Sequence, residues 1–208
     1  MTSQKSTSLA AREPQRLRGK LRVAALMRAG AEIFAEKGYD AATMTEIAAR
    51  GETAIGSLYQ FFPNKEALAD AVLAHYREIM DTALQGIEER ARKLTAAALA
   101  DALLDLTIEH TMERAAAVAL LDRRGDASPQ REEFRAMTRQ GIARILSARD
   151  SQLRADRILG MSAILLQTMK AAAALAAEKD PDLRRSALTE LRDMTRFYLT
   201  QRLSADAR

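Results

Sequence analysis

From Leu21 to Leu203 the apolar side chains recur at intervals of three and four residues, and nowhere does the apolar–polar alternation of a half-buried strand replace that period. A chain patterned this way buries its apolar surface as a set of packed helices. Composition agrees, because 42 alanines stand against nine glycines and four prolines, and alanine loses no side-chain entropy in a helix. The expected fold class is therefore all-α. With 208 residues the chain is long enough for one or two domains that bury a core without disulfides or metals.

The breakers divide the pattern into about nine helices. The spacing predicts a first helix over 21–37 stopped by Gly38, and then Thr43-Met44-Thr45-Glu46, a Thr-x-x-Glu capping box that opens a short helix over 43–50. Gly51 permits a turn, and a second short helix runs over 54–61 until Phe62-Pro63-Asn64 ends it. A long helix follows over 64–92, then one from Thr95 to about Arg114 and a shorter one to Leu121. After the polar loop 122–129, three more helices fit 130–148, 151–178 and 181–203, the last with Pro181 in its first turn. Residues 1–18, polar and without apolar period, read as a solvated arm that either touches DNA or is inert.

Several chemistries are excluded. There is no cysteine, hence no disulfide framework, thiolate metal site, iron–sulfur cluster or thiol nucleophile. The two histidines, His75 and His110, lie far apart, and neither G-x-x-x-x-G-K nor H-E-x-x-H occurs, so no catalytic residue, metal ligand or cofactor is expected. No uninterrupted run of 18 apolar residues occurs and the N-terminus lacks the apolar core of a secretory signal, so the expectation is a cytoplasmic protein without a membrane partner.

Charge is unevenly spread. The net charge is +4, but residues 1–30 carry seven Lys or Arg against the single acid Glu13, and the rest of the chain is slightly acidic. Any attraction to phosphate begins at the N-terminal end.

Two short helices joined by a tight turn containing glycine have the spacing of a helix-turn-helix, whose second helix enters the major groove of duplex DNA. That spacing alone is a weak signal. The residues are more specific: Phe34-x-Glu36-x-Gly38-Tyr39, Thr43-x-x-x-Ile47-Ala48, Gly56-Ser57-Leu58-Tyr59-x-x-Phe62 and Lys65-x-x-Leu68 follow one another without a gap. The run resembles the N-terminal DNA-binding domain of the tetracycline-repressor (TetR) family of bacterial transcription regulators, over about residues 21–70. The resemblance implies three parts: an arm (1–18), a three-helix DNA-binding domain (19–64), and a larger helical domain (65–208) for effector binding and dimerisation.

Carried over position by position, it implies that Thr43, Tyr59 and Lys65 contact phosphate and that Gly56 lets the backbones approach. Ala54, Ile55, Ser57 and Gln60 would face the groove, where Gln can read adenine and an apolar group a thymine methyl. The bland alternatives are a capping role for Thr43, an amphipathic core role for Tyr59 and a solvated surface role for Lys65. Gly51-Glu52-Thr53-Ala54 departs from the family's turn, which moves the expected capping hydroxyl to Thr53 and leaves the register of the second short helix open by one residue. Phe61 replaces a polar-tipped aromatic and cannot donate a hydrogen bond.

By the same resemblance the chain is a homodimer that releases a palindromic operator when a small molecule binds. The stripe Ile158, Met161, Leu165, Thr168, Met169, Ala172 and Leu175, with Ala187, Leu191, Met194, Thr195 and Tyr198 of the last helix, would make the isologous interface, the bland alternative being that both stripes pack on their own domain. His110, Met112, Phe134, Met137 and Gln167 are candidate effector-pocket residues, although ordinary core is the leading reading for each. The alternative to a ligand-responsive repressor is a helical ligand-binding or protein-interaction module with a degenerate DNA-binding head.

Overall fold

The first helix begins inside the expected arm. In the computed structural model, which describes residues 12–122 and 129–204, α1 runs Arg12–Ala41. Pro14 falls in its first turn, where a missing N–H costs no helical bond. Residues 12–18 are thus helical, and the remainder of the expected arm, 1–11, lies outside the described residues. Gly38 interrupts α1 in the left-handed region (φ 75°), a conformation that suits glycine, so the predicted stop is present as a sharp kink.

The further elements are α2 (Met44–Arg50), α3 (Ile55–Phe61), α4 (Lys65–Arg90) with a 3₁₀ turn Ala91–Lys93, α5 (Ala96–Glu109), α6 (Thr111–Asp122), α7 (Pro129–Arg149), α8 (Ala155–Ala176) and α9 (Pro181–Ser204). No strand occurs among the described residues. The sequence carried α5 on to Arg114, but the backbone breaks at His110 (φ −104°, ψ 41°). On either side, the Thr107 and Thr111 hydroxyls donate to carbonyls three residues back, of Leu104 and Ile108, competing with the helical ladder. A one-residue break leaves the apolar period almost in phase, which is why the pattern ran through it.

Two apolar cores result. The first holds Leu26, Phe34, Ile47 and Leu58 of α1 to α3; it also takes Leu68, Ala69 and Val72 from α4 and Ala116 and Leu120 from α6. The second holds Leu84, Leu99, Leu103, Ile142, Ile145 and Leu146, with Tyr76 and Met80 of α4 and Ala117 of α6. Each fully buried Leu, Ile, Phe or Met among them contributes about 1.5–3 kcal/mol. Both α4 and α6 therefore belong to both cores, and the head is welded to the larger bundle through them.

Polar ties fix the bundle's outer helices. Asp101 of α5 receives Arg192 and Arg196 of α9 at 3.0 and 2.9 Å, and Arg144 of α7 donates to Glu88 of α4 at 2.9 Å. Helix α8 is long and apolar enough to cross a membrane by length and composition alone. In the bundle it packs against α5, α7 and α9, with Met161, Leu165, Leu166 and Met169 buried.

Candidate nucleic-acid interface and effector cavity

Helix α2 is clamped at both ends. The Thr43 hydroxyl accepts the Glu46 N–H at 3.2 Å, and the Thr43 N–H and hydroxyl donate to the Glu46 carboxylate at 3.2 and 2.9 Å, completing the predicted capping box. Lys37 of α1 donates to the other Glu46 oxygen at 2.6 Å. That bond, followed by those from Thr43, holds the Glu46 carboxyl below the usual range. At the far end Arg50 forks onto Glu36 at 2.8 and 3.0 Å and reaches Glu32 at 3.2 Å, a bidentate pairing that also lowers the Glu36 carboxyl.

The turn between α2 and α3 differs from the sequence expectation in two ways. Glu52, not Gly51, takes the left-handed conformation (φ 48°). Gly51 is closely packed instead: a Cβ there would meet Leu26 at 3.2 Å and the Ile47 carbonyl at 3.3 Å, so a neighbour would have to give way. Thr53 does not cap α3: its hydroxyl donates to the Gly51 carbonyl at 2.9 Å, inside the turn. The N-cap is Ala54, which has no side chain to bond, because the chain enters the helix one residue later than a Thr53 cap requires.

Helix α3 buries Leu58, and Phe62 follows it into the core. Ile55, Tyr59 and Phe61 are exposed large side chains; Ala54, Gly56 and Gln60 are exposed beside them, and Ser57 is half-buried. A Cβ on Gly56 would meet nothing within 4 Å, so that part of the helix is open to an approaching surface. Between Thr53 and Asn64 no residue is charged.

Lys65, at the start of α4, is neither free nor simply solvated. Its ammonium donates to the carbonyls of Tyr39, Asp40 and Ala42 at 2.7, 3.2 and 2.8 Å and lies 4.4 Å from the centre of the Tyr39 ring. These contacts use all three of its donors, and they tie the end of α1 to the start of α4.

Over residues 19–64 five basic side chains are matched by five acidic ones. Lys37 and Arg50 are spent on Glu46 and on Glu32 and Glu36. The unmatched positive charge lies at the N-terminal part of α1, where Lys20 and Arg22 are exposed.

The five expected pocket residues do not converge. Phe134 lines a cavity of about 270 Å³ between α4, α5, α6, α7 and α8, with Tyr76, Met80, Arg114, Leu166 and Met169. Met112 lines a different concavity of about 540 Å³ between α1, α4 and α6, with Val23, Met27, Val72 and His75. His110 lies in an open groove beside Asp101 and Asp105. Met137 packs against the second core, and Gln167 is exposed on the outside of α8. Periodicity identified Phe134 correctly as inward-facing but could not place a helix face relative to one particular void. Arg114 was missed because a charged residue reads as an outer face, and Tyr76 because only its burial distinguishes it from the exposed His75. Tyr76 stacks on Phe134 with ring centres 5.2 Å apart, and burial pushes its hydroxyl up to about 12.

The expected dimer stripe also needs correction. Met161, Leu165, Met169 and Ala172 of α8 and Thr195 of α9 are buried within their own bundle, since that face packs on α5 and α7. The outward face of α8 is Gly160, Ile164, Gln167, Ala171 and Ala174, spaced four, three, four and three apart. Beside it α9 exposes Leu183, Met194 and Phe197, the last 69% accessible.

A comparison with curated protein sequences finds no match. Residues 26–72, spanning the kinked end of α1, both short helices and the first turns of α4, match the family described as bacterial regulatory proteins, tetR family. That segment, about a quarter of the chain, is what carries the likeness to the tetR family. Solved structures are similar in fold over most of the chain at low identity. One is described as the molecular basis for control of antibiotic production by a bacterial hormone (23% identity, 86% of this chain and 96% of that one, TM-score 0.63). Another is a transcriptional regulator of Aquifex aeolicus VF5 (17%, 86% and 97%, 0.60). A third is the regulator FadR of Bacillus subtilis in complex with stearoyl-CoA (16%, 85% and 97%, 0.61). The described residues are thus all-helical, and their N-terminal segment is similar to the DNA-binding domain of bacterial regulatory proteins.

Proposed function

We propose that the chain is a TetR-family regulator, a cytoplasmic homodimer that represses transcription from a palindromic operator and releases it when a small amphipathic effector binds. The observation that carries the reading is the outer face of α3: an uncharged helix of two turns on a braced scaffold, with only Leu58 buried and its remaining side chains turned to solvent or partly so. Such a face is suited to base edges in the major groove. Gln60 and Ser57 are the proposed polar readers, and Ala54 and Ile55 the apolar contacts. Tyr59 and the N-terminal end of α2 at Thr43 are the proposed phosphate contacts, while Gly56 gives the backbone room. Thr53 shapes the turn, and Lys65 adds charge beside the site while its donors hold the fold.

Release requires that effector and DNA prefer different arrangements of the same elements. The two helices shared by both cores, α4 and α6, supply them, since both line the 270 Å³ cavity and both pack on the head. The apolar outer faces of α8 and α9 support dimerisation, with glycine and alanine allowing close approach.

Gel-shift titration tests the DNA assignment. Gln60→Ala should lose about 1–3 kcal/mol on the preferred duplex and relax preference at one base position. Equal binding of all duplexes by the native protein and the variant would remove the reading and favour a ligand-binding module with a degenerate head.

A further inference from the structure

The cavity between α4 and α8 has an unusual charge balance. Its described lining includes four cationic side chains, Arg114, Arg131, Arg135 and Lys170, and no Asp or Glu. Of these, Arg135 pairs with Glu132 of its own helix at 3.9 Å. Several arginines that cross between helices elsewhere meet acids: Arg192 reaches Asp101 and Asp105, Arg196 reaches Asp101, and Arg144 reaches Glu88. Arg114 does not. One of its terminal nitrogens donates to the Ala173 carbonyl at 2.8 Å, while its Nε is buried without a partner. Desolvation lowers its pKa, with no carboxylate acting against that. A half-buried guanidinium with an unpaired Nε still has donors to offer, and an anion in the cavity would complete it.

The rest of the wall is apolar, with Met80, Phe134, Leu166 and Met169. We propose that the cavity takes a monocarboxylate with an apolar body, a medium-chain acid anion, and that the Arg114 guanidinium is its counter-ion. A fork of N–H donors matches a carboxylate bidentately, and thioether and aromatic groups suit a flexible chain. The volume of about 270 Å³ lies just below the usual range of ligand pockets. At about 30 Å³ per water-sized group it holds roughly nine groups, the carboxylate and most of the chain of an acid of about eight to ten carbons. A nucleotide-bearing thioester is too large for it. The inference rests on the reading of this cavity as the effector site and names the chemistry of its ligand. It also gives that ligand a lever, because Arg114 stands two residues from Ala116, which is buried in the core of the DNA-binding head.

The test is calorimetric titration of the intact protein, without DNA, by decanoate, decanol and decylammonium. Decanoate should bind at least about tenfold more tightly than decanol, as a charge-assisted pair implies, and decylammonium should not bind. Arg114→Met should abolish that preference while leaving decanol binding in place, and it should melt no lower than the native protein, because an uncompensated cation has been removed. Arg114→Gln, which keeps a donor for the Ala173 carbonyl, should show the same loss of preference and provides the reading if the Met variant does not fold. Equal binding of decanoate and decanol, binding of neither, or undiminished decanoate binding in whichever variant folds would overturn the inference. Decanoate binding that leaves operator affinity unchanged would spare the inference and sink the regulatory reading; operator release by neutral and anionic ligands alike would do the reverse.

Discussion

The Lys65 ammonium donates to the Tyr39 carbonyl at 2.7 Å and lies 4.4 Å from the centre of the same residue's ring. With the Asp40 and Ala42 carbonyls it closes the open end of α1 onto the first turn of α4. Three carbonyls lose their donor when it is removed, so Lys65→Met should destabilise the protein by about 1–3 kcal/mol. The salt dependence of DNA binding should hardly change. Urea unfolding and a gel-shift salt series measure the two quantities separately. A slope smaller in magnitude by about one per subunit with stability unaltered would put Lys65 on a phosphate instead.

Phosphate attraction should come from the start of α1. The helix-turn-helix segment has as many acids as bases, whereas Arg12, Arg16 and Arg18 lie just before it. Replacing these three by Gln keeps good helix formers and removes three charges. The magnitude of the salt slope should fall by up to about three per subunit, with affinity lost mainly at low salt. Unchanged binding at low salt would show that this end of the chain is not part of the interface.

The short helices were legible in the sequence because each boundary is set by local chemistry: Thr43 and Glu46 satisfy each other's backbone, and Phe62-Pro63-Asn64 must end a helix. The kink at Gly38 was legible for the same reason. What was not legible depended on the third dimension. Thr53 bonds within its turn, Lys65 turns back to α1, and the stripe of Met161, Leu165 and Met169 packs inward on α5 and α7. Helical periodicity names an apolar face without saying which neighbour will cover it. Arg114 shows the opposite failure, since a charged residue in an apolar cavity is concealed by the rule that charges face water.

The tie between α5 and α9 should make stability depend on pH at the acid end. Hydrogen bonds from Arg196, then from Arg192, hold the Asp101 carboxyl below its ordinary value. A carboxyl lowered in the folded state contributes stability that is fully present above its unfolded pKa of about 3.9, and this is lost as pH falls through the lower folded value. Asp101 is partly exposed, so the contribution is about 1 kcal/mol after screening. Asp101→Asn should therefore melt lower than the native protein at pH 7, and the difference should shrink once pH drops below about 4. A difference that persists unchanged at the lowest pH reached would assign the effect to packing.

The outer face of α8 and α9 should be the dimer contact. Phe197→Glu places a charge on the most exposed large apolar side chain of α9, and Ile164→Glu places one on an exposed apolar side chain in the outward face of α8. Each should shift sedimentation from dimer to monomer while leaving helix content intact, because neither side chain supports its own bundle. A native protein that sediments as a monomer, or variants that remain dimeric, would move the interface elsewhere.

Selection of duplexes from a random library by the intact protein, at physiological salt, tests most directly whether α3 reads DNA as one of a symmetric pair. The account predicts enrichment of a two-fold symmetric sequence whose half-site centres lie roughly one helical turn, about 34–36 Å, or slightly more apart. A library that emerges with no sequence enriched above non-specific binding would contradict it.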